Sequence, residues 1–157
     1  MRGRRHRQRG AEILETALVI VPLLLLTFLM LDLSMVIFLR STFQHAVREG
    51  VRYAITGQNT TGPCQDDSVK AVVKQNAIGF LSPTVPAATI HVHFMSPVDG
   101  SQADNGAGNI VEVSVEAYGY GPLAPFQRLN FPLLIWARAY DLMEPIPGAL
   151  PCITKKE

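Results

Sequence analysis

From Ala17 to Leu39 the chain is almost entirely apolar; only Asp32 is charged, and Glu15 and Arg40 bound the run. As a helix those residues reach ~34 Å, enough to cross a hydrocarbon core of ~30 Å. The helical period does not stop there. Phe43, Ala46, Val47, Gly50, Val51 and Ala54 fall on one stripe, with Arg48, Glu49 and Arg52 on the other side. The pattern predicts one long helix over 11–55, ended by Thr56-Gly57. Its inner half is apolar all round, as a membrane span of about 17–39 requires, and its outer half is amphipathic.

Beyond the helix the period changes. A polar stretch, GQNTTGPCQDD, reads as a loop, and Asp66 or Asp67 is placed to cap a second helix. That helix carries Val69, Val72, Val73, Ala77, Phe80 and Leu81 on one face and stops at Ser82-Pro83. Strict alternation then predicts strands at 90–94 and 111–116, joined by a Gly/Asp/Asn loop, and a third strand at 133–142. The connection YGYGPLAPFQRLNFP reads as irregular, as does the proline-rich tail. The fold class is α+β: a long N-terminal helix continuing into a small head, residues 56–157, with a second helix and a short antiparallel sheet. The Val/Ile face of that sheet would pack on the outer half of the long helix.

Charge sharpens the membrane reading. Arg2, Arg4, Arg5, Arg7 and Arg9 precede the apolar run; without residues 1–10, Lys+Arg falls from 14 to 9 against 13 Asp+Glu, a net of −4. The positive-inside bias holds the N-terminus in the cytoplasm and sends the C-terminal domain across the membrane. An acidic remainder offers no basic surface for nucleic acid. The apolar run exceeds a cleavable secretory core and no A-x-A pattern follows it closely, so it reads as a retained anchor. Asp32, costly within a span, sits either at the outer headgroups or in a polar contact with a neighbouring helix.

Two cysteines, Cys64 and Cys152, are the candidates for a disulfide in an exported head. His91 and His93 alternate on one face of a strand and supply two metal-ligand positions, but nothing nearby fixes a third. Glu112 and Glu116 are the polar face of the next strand, not an acid–base pair. No nucleophile elbow, phosphate loop or zinc-protease motif is present, and no cofactor is called for, so the chain reads as a structural part and not an enzyme. The alternative from another class is an uncleaved bitopic protein whose outer domain binds a small ligand or metal through His91 and His93.

The leader (residues 1–10), Arg9-Gly10, then Ala11-Glu12-Ile13-Leu14-Glu15-Thr16 before the oily helix resembles the class III-type signal of a pilin. With HAVREGVRYA at 45–54, the order resembles the TadE-like minor pseudopilin family of tight-adherence (Tad) pilus systems, over residues 9–55. Thr16 stands where these pilins usually carry an aromatic, and Asp32 where glutamate is common. The resemblance implies cleavage by a prepilin peptidase between Gly10 and Ala11. It also implies a role in pilus assembly and adherence, with the major pilin, a sister minor pseudopilin and the inner-membrane assembly platform as partners. Cutting there would leave a charged amine on Ala11, four residues before Glu15. A buried carboxylate is penalised unless paired, and the resemblance implies that the neighbouring subunit's amine pairs with Glu15. The plainer reading leaves Glu15 in the headgroup layer.

Overall fold

The computed structural model describes residues 4–58, 64–82, 89–123, 133–145 and 151–153, with the backbone alone for 4–11. Helix α1 (Arg4–Ile55) is one element of 52 residues, about 78 Å long, and begins within the basic leader, ahead of the expected start at Ala11. It continues through Pro22. The hydroxyls of the oily stretch satisfy themselves: Thr16, Thr27 and Ser34 donate to the carbonyls of Glu12, Leu23 and Met30 at 2.8, 2.9 and 2.8 Å. That internal pairing suits a helix surrounded by hydrocarbon, where no water is available. Among the described residues, α1 is long and apolar enough to cross a membrane.

Between Glu12 and Leu31 every side chain but Phe28 is exposed. From Asp32 outward one stripe turns inward: Met35, Val36, Leu39, Phe43, Ala46, Val47, Val51 and Ala54 pack into the core. The predicted stripe is therefore real, and it starts three turns earlier than the sequence pattern suggested.

Helix α2 (Gln65–Asn76) lies against this stripe. The predicted cap is corrected: Cys64 is the N-cap and makes no side-chain cap bond, while Asp66 and Asp67 sit inside the first turn. The tail takes over the capping role, since the Gln65 N–H donates to the Cys152 carbonyl at 2.8 Å. The carboxylates gain instead from the positive end of the helix dipole. The C-terminal end is also earlier than expected. Ile78 (φ 53°) and Gly79 (φ 81°) turn left-handed and break the helix after Asn76. Leu81 and Phe80 still return to the core, Phe80 meeting Phe38 and Phe43 edge-on at 6.2 and 6.5 Å.

Three strands, β1 (Thr89–Met95), β2 (Ile110–Tyr120) and β3 (Leu133–Leu142), form an antiparallel meander in that order. Alternation sends Ile90, Val92, Phe94, Val111, Val113, Val115, Ile135 and Ala137 into the core shared with both helices. This is the α+β arrangement expected, with the apolar sheet face on the outer half of α1. One segment differs: Tyr118-Gly119-Tyr120, read as irregular, completes β2.

A bulge makes that completion possible. Val115 pairs with Ala137 but Tyr118 pairs with Ile135, so β2 carries one residue more than β3. Ala117 absorbs the extra residue at φ 56°, a conformation that costs a residue with a Cβ about 1 kcal/mol. Beyond it the alternation is shifted, so Tyr118 and Tyr120 point inward instead of Ala117 and Gly119. Tyr118 meets Phe43 edge-on at 4.8 Å.

Gly50 sets the closeness of the two helices. A Cβ there would come within 2.5 Å of Val73 Cγ2, with Val69 Cγ1 and Val113 Cγ1 at 3.5 and 3.6 Å. Gly50→Ala should force α2 outward and lower unfolding stability by about 1–3 kcal/mol. Denaturant unfolding of the detergent-solubilised chain checks this; an unchanged midpoint would contradict the packing.

Candidate functional site: where the head meets the anchor

Asp32 occupies the first inward position of the stripe on α1 and is 8% exposed. A carboxylate so placed, with apolar residues before and after it, needs donors. The head supplies two: the Tyr120 hydroxyl at 3.0 Å and the Leu123 backbone N–H at 2.9 Å, both to Oδ1. Oδ2 is buried and has no partner among the described residues. The expectation of a headgroup carboxylate or a contact with a neighbouring helix did not include this arrangement, in which the donors come from the same chain. Residues 88 and 91 positions away close the joint. The bulge at Ala117 is what brings the Tyr120 ring to this side of the sheet.

The other end of the head is closed by a buried polar knot. Gln65, fully buried, donates through Nε2 to the Ala54 carbonyl at 2.8 Å, one of the orphan carbonyls at the end of α1. Its Oε1 accepts from Asn105 Nδ2 at 2.6 Å, and the same nitrogen reaches the Pro151 carbonyl at 2.8 Å. Beside it Cys64 and Cys152 form a disulfide across 88 residues, with Cα atoms 4.7 Å apart. Closing a loop of that length contributes about 4 kcal/mol on the chain-entropy model. The end of α1, the start of α2, the β1–β2 loop and the tail are thereby held at one place. Gln65 and Asn105 carried no sequence signal beyond proximity to Cys64 and to glycines.

The outward face of the sheet holds the remaining candidates. His91 stands opposite Ser114, and His93 opposite Glu112. The two imidazoles stack with centroids 5.8 Å apart. Glu112 and Glu116 do not turn toward each other for acid–base work; Arg138 on β3 joins them, at 2.8 Å from Glu112 and 3.4 Å from Glu116. Arg138 is more than half exposed, so solvent screens both pairs and limits what they contribute to stability. Among the described residues no group of three or more His, Cys, Asp or Glu is arranged to hold a metal. An open groove between α1 and β3 gathers Arg48, Arg52 and Arg138 with Tyr140 and Asp141, without a nucleophile beside a base.

Gly10 and Ala11 lie on helical backbone of α1, and their side-chain surroundings fall outside the described residues. Glu15 is exposed on the bare part of the helix. The tail residues 146–150, the leader residues 1–3 and the loop positions Asn59 to Pro63 also lie outside the described residues.

The geometry defines an α+β protein built on one long N-terminal helix, bare over its first half and cored by a small sheet over its second. Residues 10–52, nearly all of that helix, match the family model described as TadE-like protein. The chain thus resembles the TadE-like family where the sequence first pointed to it. No curated protein and no solved structure matches the chain.

The joint has a pH signature. Burial pushes the Tyr120 hydroxyl above its ordinary value of 10.0, and the hydrogen bond and charge of Asp32 push it the same way. The protonated phenol is the form the fold favours, so its contribution is complete below the unfolded value and is lost as pH rises through the folded one. Wild type should lose stability above pH ~10 more steeply than Tyr120→Phe, which should be less stable at neutral pH by about 1–3 kcal/mol. Unfolding midpoints measured from pH 8 upward check both; parallel profiles would contradict the Tyr120–Asp32 bond.

Proposed function

We propose that this protein is a minor pilin or pseudopilin of a Tad-type pilus. It is made as a precursor in the bacterial inner membrane, processed by a prepilin peptidase after Gly10, and takes part in pilus assembly and adherence. The observation that supports the reading most is the match of residues 10–52 to the TadE-like family on a continuous helix that is bare from Glu12 to Leu31 apart from Phe28. A helix apolar all round needs either lipid or other helices beside it. A pilin uses both in turn, lipid before assembly and neighbouring helices in the filament.

In this reading α1 crosses the membrane once, with the arginine-rich leader in the cytoplasm and the head outside. Removal of residues 1–10 leaves Ala11 with a free amine. Glu15, exposed near that end, pairs with the amine of the neighbouring subunit as the helices pack side by side. A lone carboxylate among apolar helices is strongly disfavoured, so the pairing fixes the register between subunits. The partners are the peptidase, the major pilin, a sister minor pseudopilin and the assembly platform. The role is structural, with no catalytic step.

Intact mass of protein extracted from membranes that contain a matching peptidase tests the processing. The expected wild-type chain starts at Ala11, and Gly10→Ala retains its leader. Glu15→Ala should be processed yet fail to enter filaments. A wild-type chain that keeps its leader in those membranes would contradict the reading.

A further inference from the structure

The charged residues that bound the bare helix fix how deep it can sit. Glu15 and Arg40 are separated by the 24 residues 16–39, about 36 Å of helix against ~30 Å of hydrocarbon. Both charges reach headgroups only if the hydrocarbon spans roughly residues 18–37, centred between them. Asp32 then lies five or so residues inside the outer boundary, ~8 Å below it. Leu33 and Ile37, on the side of α1 away from Asp32, are large, apolar and exposed, which suits that depth. Yet Asp32 is bonded to Tyr120 and Leu123, so the lower end of the head must come down with it.

The same end of the head is apolar: Leu134 and Trp136 lie on the outward face of the sheet, Leu133 on the face toward α1 and Leu123 just beyond β2. Leu133 is the register partner of Tyr120 and so lies at the lower end of the sheet. Leu123, Leu133, Leu134 and Trp136 are all about half exposed. Three residues along a strand are ~10 Å, so Trp136 stands about that far above Leu133. Higher on the outward face, charge returns with Arg138 and its two glutamates. Leucines at the acyl boundary with tryptophan above them match the sequence of environments a bilayer presents from core to headgroups.

We propose that, in the membrane-anchored state, the head is sunk by its lower rim into the outer leaflet. Leu123 lies below the acyl–headgroup boundary beside Asp32, Leu133 and Leu134 at that boundary and Trp136 among the headgroups. Lipid is the occupant because this apolar surface is level with the end of the span and continuous with it. The rim excludes water from Asp32 and supplies the donors that let a carboxylate lie below the boundary. The proposal rests on α1 being a membrane anchor.

Trp136 is the chain's one tryptophan, so its emission reports on this rim alone. The full chain is reconstituted into vesicles of phosphatidylethanolamine and phosphatidylglycerol, with part of the lipid brominated either near the headgroup or near the chain end. Flotation is measured first: a chain that does not float with the vesicles would refute the anchor itself. For a chain that floats, Trp136 should lose emission to headgroup-proximal bromines more than to deep ones and resist aqueous iodide. In a Trp136→Phe background, Leu134→Trp should be quenched more strongly by bromolipid and Tyr140→Trp less. Iodide access to Trp136 without bromolipid quenching would overturn the proposal. Shielding from both quenchers that grows with protein-to-lipid ratio would overturn it in favour of contact between copies.

Discussion

A carboxylate on a membrane-length helix is the constraint around which this molecule is arranged. Asp32 is the only charge between Ala17 and Leu39, and leaving it without donors in an apolar setting is costly. Its two donors come from the end of β2 and just beyond it. Meeting that need draws the head down along the helix to one height. It also requires the left-handed bulge at Ala117, since without the extra residue Tyr120 would face outward. Strain at one alanine thus serves a hydrogen bond at the far end of a tyrosine.

One helix serves two surroundings, and the boundary between them is sharp. From Glu12 to Leu31 the side chains other than Phe28 are bare; from Asp32 outward a single stripe is the floor of the head's core. The two ends of that stripe are secured differently. Asp32 with Tyr120 fixes the lower end, while Gln65, Asn105 and the Cys64–Cys152 disulfide fix the upper end. Gly50, between them, lets α2 approach closely enough to seal the middle. Two of the helix's acidic side chains stand in contrasting surroundings. Asp32 is held through Oδ1 by donors of its own chain, whereas Glu15 is exposed.

Much of this was legible in the sequence because it is local. The bare run, the stripe from Phe43 to Ala54 and the three alternating strands follow from periods of 3.6 and 2 that each segment carries by itself. The strand 133–142 was read with its limits unchanged. What escaped depends on residues far apart in the chain. Asp66 and Asp67 have the chemistry of caps, but the cap lies two or three residues earlier, at Cys64, where the tail carbonyl of Cys152 accepts from the Gln65 N–H. Tyr118-Gly119-Tyr120 looked like a loop because glycine and the bulge hide its alternation. Gln65 and Asn105 are unremarkable in sequence, and their bonds span 11, 40 and 46 positions. The proposed roles of Gly10 and Glu15 rest on spacing and resemblance and not on any contact.

A double-mutant cycle on Asp32→Asn and Tyr120→Phe, read by unfolding of the full chain in a membrane mimic, tests most directly whether the head is fixed to the anchor at this point. The account predicts that the two substitutions together cost less than the sum of each alone, with a coupling of about 1 kcal/mol or more. Additive effects, agreeing within ~0.3 kcal/mol, would mean that the two side chains do not hold each other and that the head is positioned by other means.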